Sequence, residues 1–490
     1  MEDGFGFFNG QWLGEMVMEI NSEILSLISK DIALQYRVFP AALFSGVLEL
    51  YCEAKELNVA LADELEVVLG LQVKLSGLEG QELTRLLSKH YLSDVAGTAA
   101  DQGIGEISAG DDFLNVLIDE ARRLKSSDIH IETFESRSRV RVRIDGMMVE
   151  RYQVSKGDYP ALVNKIKIMA NLDIAEKRLP QDGRIQFRSA RQNPFDIRVS
   201  VLPTLYGEKV VLRLLNNSST DIDLATLGLS EADMASYMQG VQRPNGIILI
   251  SGPTGSGKTT TLYATLKLLN KSTRNILTIE DPIEYTLEGV NQVQLKESIG
   301  LGFASTLRTF LRQDPDVIMV GEIRDPETAN MAIRAALTGH LVLSTIHTNS
   351  AWGTVSRLVD MGIPGFLLAS TLNTTVAQRL IRLLCPVCKQ RKSLSPSEYP
   401  KAFRPPIVLA EQYMANGCDR CYYTGYKGRE AVYEVIPVDA DLAHEIRMGN
   451  MAIEGVLFEK NINTLSGNAF ALFAQGKTSL EEIYPLLLSI

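Results

Sequence analysis

The spacing of apolar positions changes several times along the 490-residue chain, and each change marks a different kind of element. In 113–127 apolar residues recur every three or four positions, which predicts an amphipathic helix. Four segments after it alternate apolar and polar residues, as strands with one solvated face do. These segments are 128–132, 138–146, 195–203 and 208–215. We predict a small α+β domain with an antiparallel sheet over 111–215.

A second pattern begins near residue 229, where short, continuous apolar runs are each followed by a loop and a helical stretch. The runs are 246–251, 275–280, 316–322 and 340–347. Strands that are apolar throughout are buried on both faces, and helical connections between them make the sheet parallel. The fold class predicted for 229–490 is therefore α/β, with a parallel sheet between helices and a helical C-terminus.

Residues 1–92 carry no chemical motif. Their apolar stretches at 23–34 and 40–54 predict short helices, so we expect a mainly helical N-terminal domain in which Cys52 is a small buried apolar side chain. Polar and small residues dominate two further segments, a composition typical of flexible linkers. These linkers are 93–110 and 216–228.

The formal charge of −10 disfavours a nucleic acid partner, because such binding depends on Lys and Arg side chains that neutralise phosphates. Hydrophobic residues make up 45% of the chain, enough to bury several cores. The longest apolar stretch, 366–384, has helical spacing but contains Asn373 and Arg379, so we do not expect it to cross a membrane. Glu2 and Asp3 stand where a secretory signal carries positive charge, and the expected location is cytoplasmic.

Residues 252–259 fit the phosphate-binding pattern G-x-x-x-x-G-K-[ST] and lie between an apolar run and a helical stretch, as that loop requires. Its glycines let backbone N–H groups surround phosphates, Lys258 reaches the β- and γ-phosphates, and Thr259 offers its hydroxyl to Mg²⁺. The start of the following helix adds its positive dipole end. The expected nucleotide-binding residues are Gly252, Pro253, Thr254, Gly255, Ser256, Gly257, Lys258, Thr259 and Thr260.

Carboxylates follow two of the apolar runs. Glu322 is placed to approach Mg²⁺ and the attacking water, although it follows Gly321 instead of ending the strand directly. Glu280, Asp281 and Glu284 come at the end of another run, where they suit a role in orienting water or adjoining the metal. For Glu284 the alternative is an ordinary surface carboxylate, because acidic residues are usually exposed.

Two of the five histidines, His340 and His347, frame one apolar run. A histidine is more often structural than catalytic, but His347 falls at the carboxyl end of a predicted parallel strand, where ligands bind. We interpret His347 as a sensor of the γ-phosphate, since the nearby acids can orient water themselves.

Arginines are suited to holding phosphoryl charge and to reaching a nucleotide from another domain. Arg308 and Arg312 lie four residues apart on a predicted helix, and Arg324 comes soon after Glu322. Arg198 and Arg213 lie in strand segments of the preceding domain. Each arginine taken alone is more simply a surface residue.

Two C-x-x-C pairs, Cys385 with Cys388 and Cys418 with Cys421, lie 29 residues apart in a chain expected to stay reduced. Doubled pairs at this spacing supply four thiolates to a tetrahedral structural zinc, as in zinc ribbons. A redox pair would be a single C-x-x-C at a helix start in a thioredoxin-like unit, which the sequence lacks. The metal interpretation is therefore favoured over redox chemistry or disulfides.

Taken in order, six segments resemble the recognised blocks of one family, the secretion ATPases of type II secretion and type IV pilus assembly (GspE/PilB-like). The segments are 175–185, 251–263, 278–285, 311–329, 336–349 and 425–429. The resemblance runs from about residue 110 to 490 and leaves the first hundred residues unmatched. It implies a RecA-like ATPase domain, a smaller PAS-like domain before it and a zinc-binding insertion over 385–421.

The resemblance also implies roles for the residues singled out above. Lys258 and Thr259 resemble the Walker A pair, and Glu322 resembles the Walker B acid. The acids Glu280, Asp281 and Glu284 resemble the family's Asp box, and His340 and His347 resemble its His box. Five arginines would surround the nucleotide: Arg198, Arg213, Arg308, Arg312 and Arg324.

From the resemblance we expect a cytoplasmic homohexamer at the inner face of the bacterial inner membrane, using ATP, Mg²⁺ and Zn²⁺. The expected partners are platform and docking proteins of a secretion or pilus machine, with peripheral membrane association through them and no nucleic acid. The alternatives are a nucleotide-gated scaffold with little turnover, or a DNA translocase of the same superfamily. Because retraction ATPases generally lack the four cysteines, these favour an assembly or secretion motor.

Overall fold

The computed structural model describes residues 113–189, 192–215 and 223–488, together with 105–107 and, with short gaps, 27–87. The chain divides into two compact units, Met1–Gly103 and Ile104–Ile490. In the described part of the chain, no helix is both long enough and apolar enough to span a membrane.

The first unit contains a three-stranded sheet beside a helix, in the order β1-β2-β3. Its elements are β1 (Phe39–Phe44), β2 (Val47–Glu53), α1 (Val59–Leu69) and β3 (Gln72–Leu78). The helix predicted over 40–54 is wrong: Gly46, at φ 85°, makes a turn between two antiparallel strands, and β2 alternates half-buried and buried positions. The described residues of this region are therefore not mainly helical, and the predicted helix at 23–34 lies largely outside them. Cys52 is buried, on β2.

A seven-stranded sheet with two helices occupies the start of the second unit, in the order β4-β7-β6-β5-β10-β9-β8. Apart from the parallel pair β4–β7, its neighbouring strands are antiparallel, which confirms the predicted α+β class. Its strands are β4 (Gly105–Ile107), β5 (Asp128–Thr133), β6 (Ser138–Ile144), β7 (Met147–Val154), β8 (Gln181–Ser189), β9 (Gln192–Thr204) and β10 (Gly207–Leu215). Its helices are α2 (Phe113–Arg123) and α3 (Tyr159–Met169).

The two faces of this antiparallel sheet differ because its strands alternate apolar and charged residues. On β6, Val140 and Val142 are buried in the core, while Arg139 and Arg141 bind Glu132 at 3.0 and 2.8 Å. Burial would raise the pKa of Glu132, but hydrogen bonds from Arg141 and its basic neighbours lower it to about 2. These side chains on the charged face of the sheet thus pair with one another.

The larger sheet has the order β13-β12-β14-β15-β11-β16-β19. All neighbouring strands are parallel except the edge pair β16–β19, which confirms the predicted parallel sheet. The strands of this part of the chain, of which β17 and β18 lie outside the larger sheet, are β11 (Gly246–Ser251), β12 (Ile276–Glu280), β13 (Asn291–Gln294), β14 (Val317–Val320), β15 (Leu341–Ile346), β16 (Leu372–Leu384), β17 (Gln390–Ser393), β18 (Glu411–Met414) and β19 (Tyr426–Pro437). The helix α4 (Glu231–Val241) precedes the first of these strands, and α5 (Lys258–Leu269), α6 (Phe303–Phe310) and α7 (Pro326–Leu337) lie between successive strands.

Every residue of β11, β14 and β15 is buried, as expected for strands covered on both faces. Helices complete the unit, and β17 and β18 pair as a separate two-stranded sheet. The helices are α8 (Gly353–Asp360), α9 (Gly365–Thr371), α10 (Ala440–Met448), α11 (Glu454–Glu459), α12 (Leu465–Ala474) and α13 (Leu480–Leu487).

The helical interpretation of 366–384 is wrong for most of that stretch. The helix α9 ends at Thr371, and the next 13 residues form β16. Because helices pack on both faces of β16, α4 on one and α12 on the other, its apolar residues are buried without the periodicity of a half-exposed strand. Cys385 therefore follows a strand, not a helix.

Candidate functional site

The loop between β11 and α5 has the backbone conformation that the phosphate-binding pattern predicts. Gly252, Gly255 and Gly257 have φ values of 151°, 82° and 88°, a region that side chains other than glycine rarely adopt. A Cβ on Gly252 would lie 2.5 Å from the carbonyl oxygen of Gln378, so the loop also needs glycine there to pass β16. The loop leads directly into α5, whose first residue is Lys258.

Lys258 closes this loop on itself. Its ammonium is largely buried and donates hydrogen bonds to the carbonyl oxygens of Gly252, at 2.8 Å, and Pro253, at 3.1 Å. Burial lowers the pKa of Lys258, which the charge of Glu322 partly opposes. The Ser256 hydroxyl is buried without a hydrogen-bond partner. A cation and an orphan hydroxyl within one glycine-rich loop fit an anionic phosphate, which would satisfy both.

Glu322 follows β14 at the same edge of the sheet. It pairs with Arg324, and its Oε2 lies 3.5 Å from Nε2 of His347, which follows β15. Burial would raise the pKa of Glu322, but the hydrogen bond and charge of Arg324, with His347 and Lys258, outweigh it and hold that pKa below its usual range. Glu322 is therefore an ionised carboxylate between two cationic or polar side chains. A hydrogen bond joins the ends of β14 and β15, since the Thr345 hydroxyl donates to the Gly321 carbonyl oxygen at 2.7 Å.

Glu280, at the end of β12, differs from the other acids because it is 3% exposed. It accepts hydrogen bonds from the Tyr263 hydroxyl, from Thr278 at 2.6 Å and from Gln292 at 3.0 Å. These contacts tie α5 to β12 and β13. The arrangement suits a carboxylate that supports the sheet edge more than one that faces a nucleotide.

Asp281 and Glu284 lie in the open loop after β12 and reach two arginines. Asp281 is 3.6 Å from Arg324, and Glu284 is 3.5 Å from Nη2 of Arg198. The same Arg198 nitrogen donates to the Ile283 carbonyl oxygen at 3.3 Å. Arg198 belongs to β9 of the antiparallel sheet, so a cation from that sheet contacts the acidic loop of the nucleotide-binding sheet.

The structure does not bring every residue named from the sequence to this edge. His340 precedes β15 and contacts Thr338 and Ala335. The whole length of β15 separates His340 from His347, so the two histidines lie at opposite edges of the sheet, roughly 20 Å apart. Arg213 pairs with Asp128 at 3.0 Å inside its own sheet. Arg308 pairs with exposed Glu327, and Arg312 donates to the Arg308 carbonyl oxygen at 3.1 Å.

Two residues of β16 that the sequence patterns did not assign to the site, Gln378 and Arg379, line the P-loop. Gln378 is buried, accepts a hydrogen bond from Thr261 at 2.9 Å, and has its amide nitrogen 2.9 Å from where a Cβ on Gly257 would lie. Arg379 donates to the Asn349 carbonyl oxygen at 2.9 Å, in the loop after His347. The signal in the sequence is a polar Gln-Arg pair within an apolar stretch.

A cavity of about 410 Å³ adjoins the P-loop. Its walls come from four places: the segment 226–228 before α4, the P-loop and the start of α5 at Gly257 and Thr260, β16 at Gln378 and Leu380, and β19 at 429–433. It therefore extends the phosphate-binding loop into a partly apolar recess.

The four cysteines of the two C-x-x-C pairs form one cluster, with all four Sγ atoms within 4.8 Å of one another. Sγ–Sγ distances are 3.9 Å for Cys385–Cys418, 3.7 Å for Cys388–Cys421 and 3.8 Å for Cys418–Cys421. A disulfide needs about 2.05 Å, whereas four thiolates about 2.3 Å from a tetrahedral zinc lie about 3.8 Å apart. The residues fit a closed metal site of zinc type, as the sequence predicted.

The glycine-rich loop, its lysine, and an acid and a histidine after adjacent parallel strands define a P-loop nucleotide-binding protein of RecA-like fold. Residues 108–485 match the family described as "Type II/IV secretion system protein". The chain belongs to that family, as the six sequence blocks indicated.

Individual relatives agree with this assignment. The chain is 40% identical over 492 residues to "Type IV pilus assembly ATPase PilB" of Myxococcus xanthus, covering 95% of this chain and 87% of the relative. It is 52% identical over 327 residues to "Type II secretion system protein E" of Pseudomonas aeruginosa, covering 67% of this chain and 65% of the relative. Among solved structures, the "Pilus Retraction Motor PilT and Bound ADP" aligns with a TM-score of 0.51 and 28% identity, over 75% of this chain and 94% of that one. Membership in this family supports ATPase activity in general terms.

Proposed function

We propose that this protein is a cytoplasmic hexameric motor that hydrolyses ATP to drive pseudopilin or pilin assembly in type II secretion or type IV pilus biogenesis. The observation that carries the proposal is the convergence of Lys258, Glu322 and His347 at one edge of a parallel sheet, with Arg198 reaching the same edge from a second sheet. A nucleotide there would touch both sheets. The names of its relatives, which include pilus assembly and type II secretion proteins, support the biological setting.

The chemistry follows from the charges at this edge. Lys258, freed from the two carbonyl oxygens it now holds, would bind the β- and γ-phosphates, and the exposed Thr259 would hold Mg²⁺, which neutralises phosphate charge when bound. The ionised Glu322 carboxylate would orient the attacking water and accept its proton. His347, 3.5 Å from that carboxylate, is placed to register whether a γ-phosphate is present.

The cavity beside the P-loop suits the rest of the nucleotide. It opens next to Gly257 and Thr260, so a phosphate chain on the loop would lead the ribose and base into it. Its far wall belongs to β19 and to the segment 226–228, which connects the two sheets of this unit. Nucleotide occupancy and the relative position of those sheets would thus be linked, which is what a motor requires.

The remaining assignments complete the proposal. Residues 1–92 would dock the motor onto a platform protein at the inner face of the inner membrane, with 93–110 as a linker. Residues 111–215 would carry Arg198 toward the nucleotide, joined by a linker at 216–228 to the ATPase domain at 229–490. Six copies would assemble, with membrane association through partners and without nucleic acid.

Replacing Arg198 tests whether the two sheets act together. We expect Arg198→Ala to lower kcat for ATP at least ten-fold, because it removes the cation that now binds Glu284 and Ile283. The measurement is phosphate release at saturating ATP. Arg184→Ala is the matched control: Arg184 lies opposite Arg198 on β8 and pairs with Asp196 at 2.6 Å. Equal rates for the two variants would remove Arg198 from the site.

We further propose that the four cysteines hold zinc, which supplies a fixed tetrahedral centre for 385–421 when bound. We expect the purified chain to contain about one zinc, and Cys418→Ser to lose the metal and unfold at a lower temperature, because three thiolates no longer close the site. Metal analysis and thermal unfolding measure both effects. Cys52→Ala, in the other compact unit, keeps the metal. A metal-free chain as stable as the loaded one would contradict this assignment.

A further inference from the structure

One buried carboxyl group outside the P-loop contacts the loop that carries His347. Glu434 lies in the middle of β19, opposite Ala377 of β16, and is 5% exposed. Its Oε1 accepts a hydrogen bond from the backbone N–H of Ala351 at 2.7 Å. Its Oε2 accepts one from the backbone N–H of Leu465, the first residue of α12, at 3.1 Å. A single side chain thus joins two segments that are distant in sequence.

Hydrogen bonds fix the backbone of three consecutive residues at the end of the segment 347–351. Arg379 donates to the carbonyl oxygen of Asn349 at 2.9 Å, and Ser251, the last residue of β11, donates to that of Ser350 at 3.3 Å. Both of these bonds fix carbonyl oxygens, whereas Glu434 fixes the N–H of Ala351. The loop is therefore anchored to the strand before the P-loop, to β16 and to β19, and His347 lies four residues before the last anchor.

A carboxyl group suits this position for electrostatic reasons. An anion at the first turn of a helix is stabilised by the helix dipole, and α12 begins at Leu465. Burial raises the pKa of Glu434, while the two backbone N–H donors and the charge of Arg379 oppose that shift. An uncharged side chain with one acceptor oxygen would satisfy only one of the two amides and would leave the other buried and unpaired.

We propose that Glu434 is a positioning residue for hydrolysis: by binding the backbone of Ala351 and anchoring it to α12, it holds the loop that places His347 beside Glu322. The inference rests on the proposed ATPase function, because the position of His347 matters only if a γ-phosphate is bound there. Small displacements of a group that contacts the reacting phosphate cost rate more than they cost binding. The expected signature of lost positioning is a fall in kcat with little change in KM.

The test compares Glu434→Gln with Glu482→Gln in the full chain. Glu482 is also a partly buried carboxylate. It accepts three hydrogen bonds from one residue, from Arg382 N at 3.0 Å, from Nε at 2.8 Å and from Nη2, and among the described residues none of its hydrogen bonds reaches 347–351. We expect Glu434→Gln to lower kcat about ten-fold or more with KM for ATP changed less than about three-fold. Glu482→Gln should lower the unfolding temperature by a similar amount while keeping kcat within about two-fold of the wild type.

A second readout does not depend on turnover. Trp352 follows Ala351, and the only other tryptophan of the chain is Trp12, so a Trp12→Phe background reports on this loop alone. Trp352 is 6% exposed, and we expect Glu434→Gln, but not Glu482→Gln, to increase quenching of its fluorescence by acrylamide. Unchanged quenching and kcat in Glu434→Gln, or equal losses in both variants, would overturn the positioning role. A wild-type chain that does not hydrolyse ATP would overturn the proposed function instead, and the fluorescence would still decide whether Glu434 holds the loop.

Discussion

Lys258→Ala is expected to lower kcat/KM for ATP at least 100-fold and to weaken ATP binding itself. The ammonium is the cation at the centre of the P-loop, and it is already largely buried against the carbonyl oxygens of Gly252 and Pro253. Charge-assisted hydrogen bonds to phosphate in such a site are strong, and removing one well-placed donor costs roughly 10²–10³ in rate. Phosphate release and binding of a fluorescent ATP analogue measure the two losses separately.

The control for this variant lies on the same helix. Lys267 is in the last turn of α5, away from the loop, and Lys267→Ala should retain turnover within about two-fold. Thermal unfolding of both variants checks that α5 still forms. If Lys258→Ala hydrolysed ATP at the wild-type rate, the assignment of this edge of the sheet as the nucleotide site would have to be abandoned.

Glu322→Gln is expected to have the second largest effect, and of a different kind: ATP should bind normally while kcat falls about 100-fold. The amide keeps the shape of the side chain but removes the charge that Arg324, His347 and Lys258 stabilise. A side chain that orients and deprotonates water contributes about 10²–10⁴ to a rate, and the neutral amide cannot accept the proton. Single-turnover hydrolysis, compared with equilibrium binding of ATP, separates the chemical step from binding.

The same variant decides between a motor and a nucleotide-gated scaffold. A scaffold needs bound ATP but not an ionised Glu322, so equal turnover in wild type and Glu322→Gln would favour it. Glu411→Gln provides the matched control, because Glu411 is an exposed carboxylate paired with Arg391 at 3.6 Å on the small β17–β18 sheet. It should leave both binding and turnover unchanged.

The larger sheet could be predicted well from sequence because its strands obey a simple physical rule. Runs such as 246–251 are buried on both faces, so every position must be apolar, and the loops after them carry the chemistry. The rule failed at 366–384, where β16 is also covered on both faces but is 13 residues long. A long apolar run has no feature that separates a buried strand from a helix, and pairing with both β11 and β19 decided the outcome.

The hairpin over 39–53 shows a different limit. Alternation in 47–53 is visible once the strand is known, but the Leu and Glu residues of this stretch also favour helices. For the two histidines, the end of the strand at which each lies decides whether it can reach the site. His340 and His347 belong to the same sequence block, yet one precedes β15 and the other follows it, so only one can approach the P-loop. Glu434 and Gln378 belong to no motif; only the sheet order brings them beside the site.

The continuity of β16 restricts where the length of this chain can vary. Gln378 beside the P-loop and Cys385 of the metal cluster are joined by one strand. Side chains alternate between the two faces of a strand, so one inserted residue would turn everything beyond it to the wrong face. The stretch from Gln378 to Arg382, which pairs with β19 in unbroken register, therefore has a fixed number of residues. A change of length is better tolerated in 404–410, the largely exposed stretch between the buried Phe403 and β18, where no strand register has to be kept.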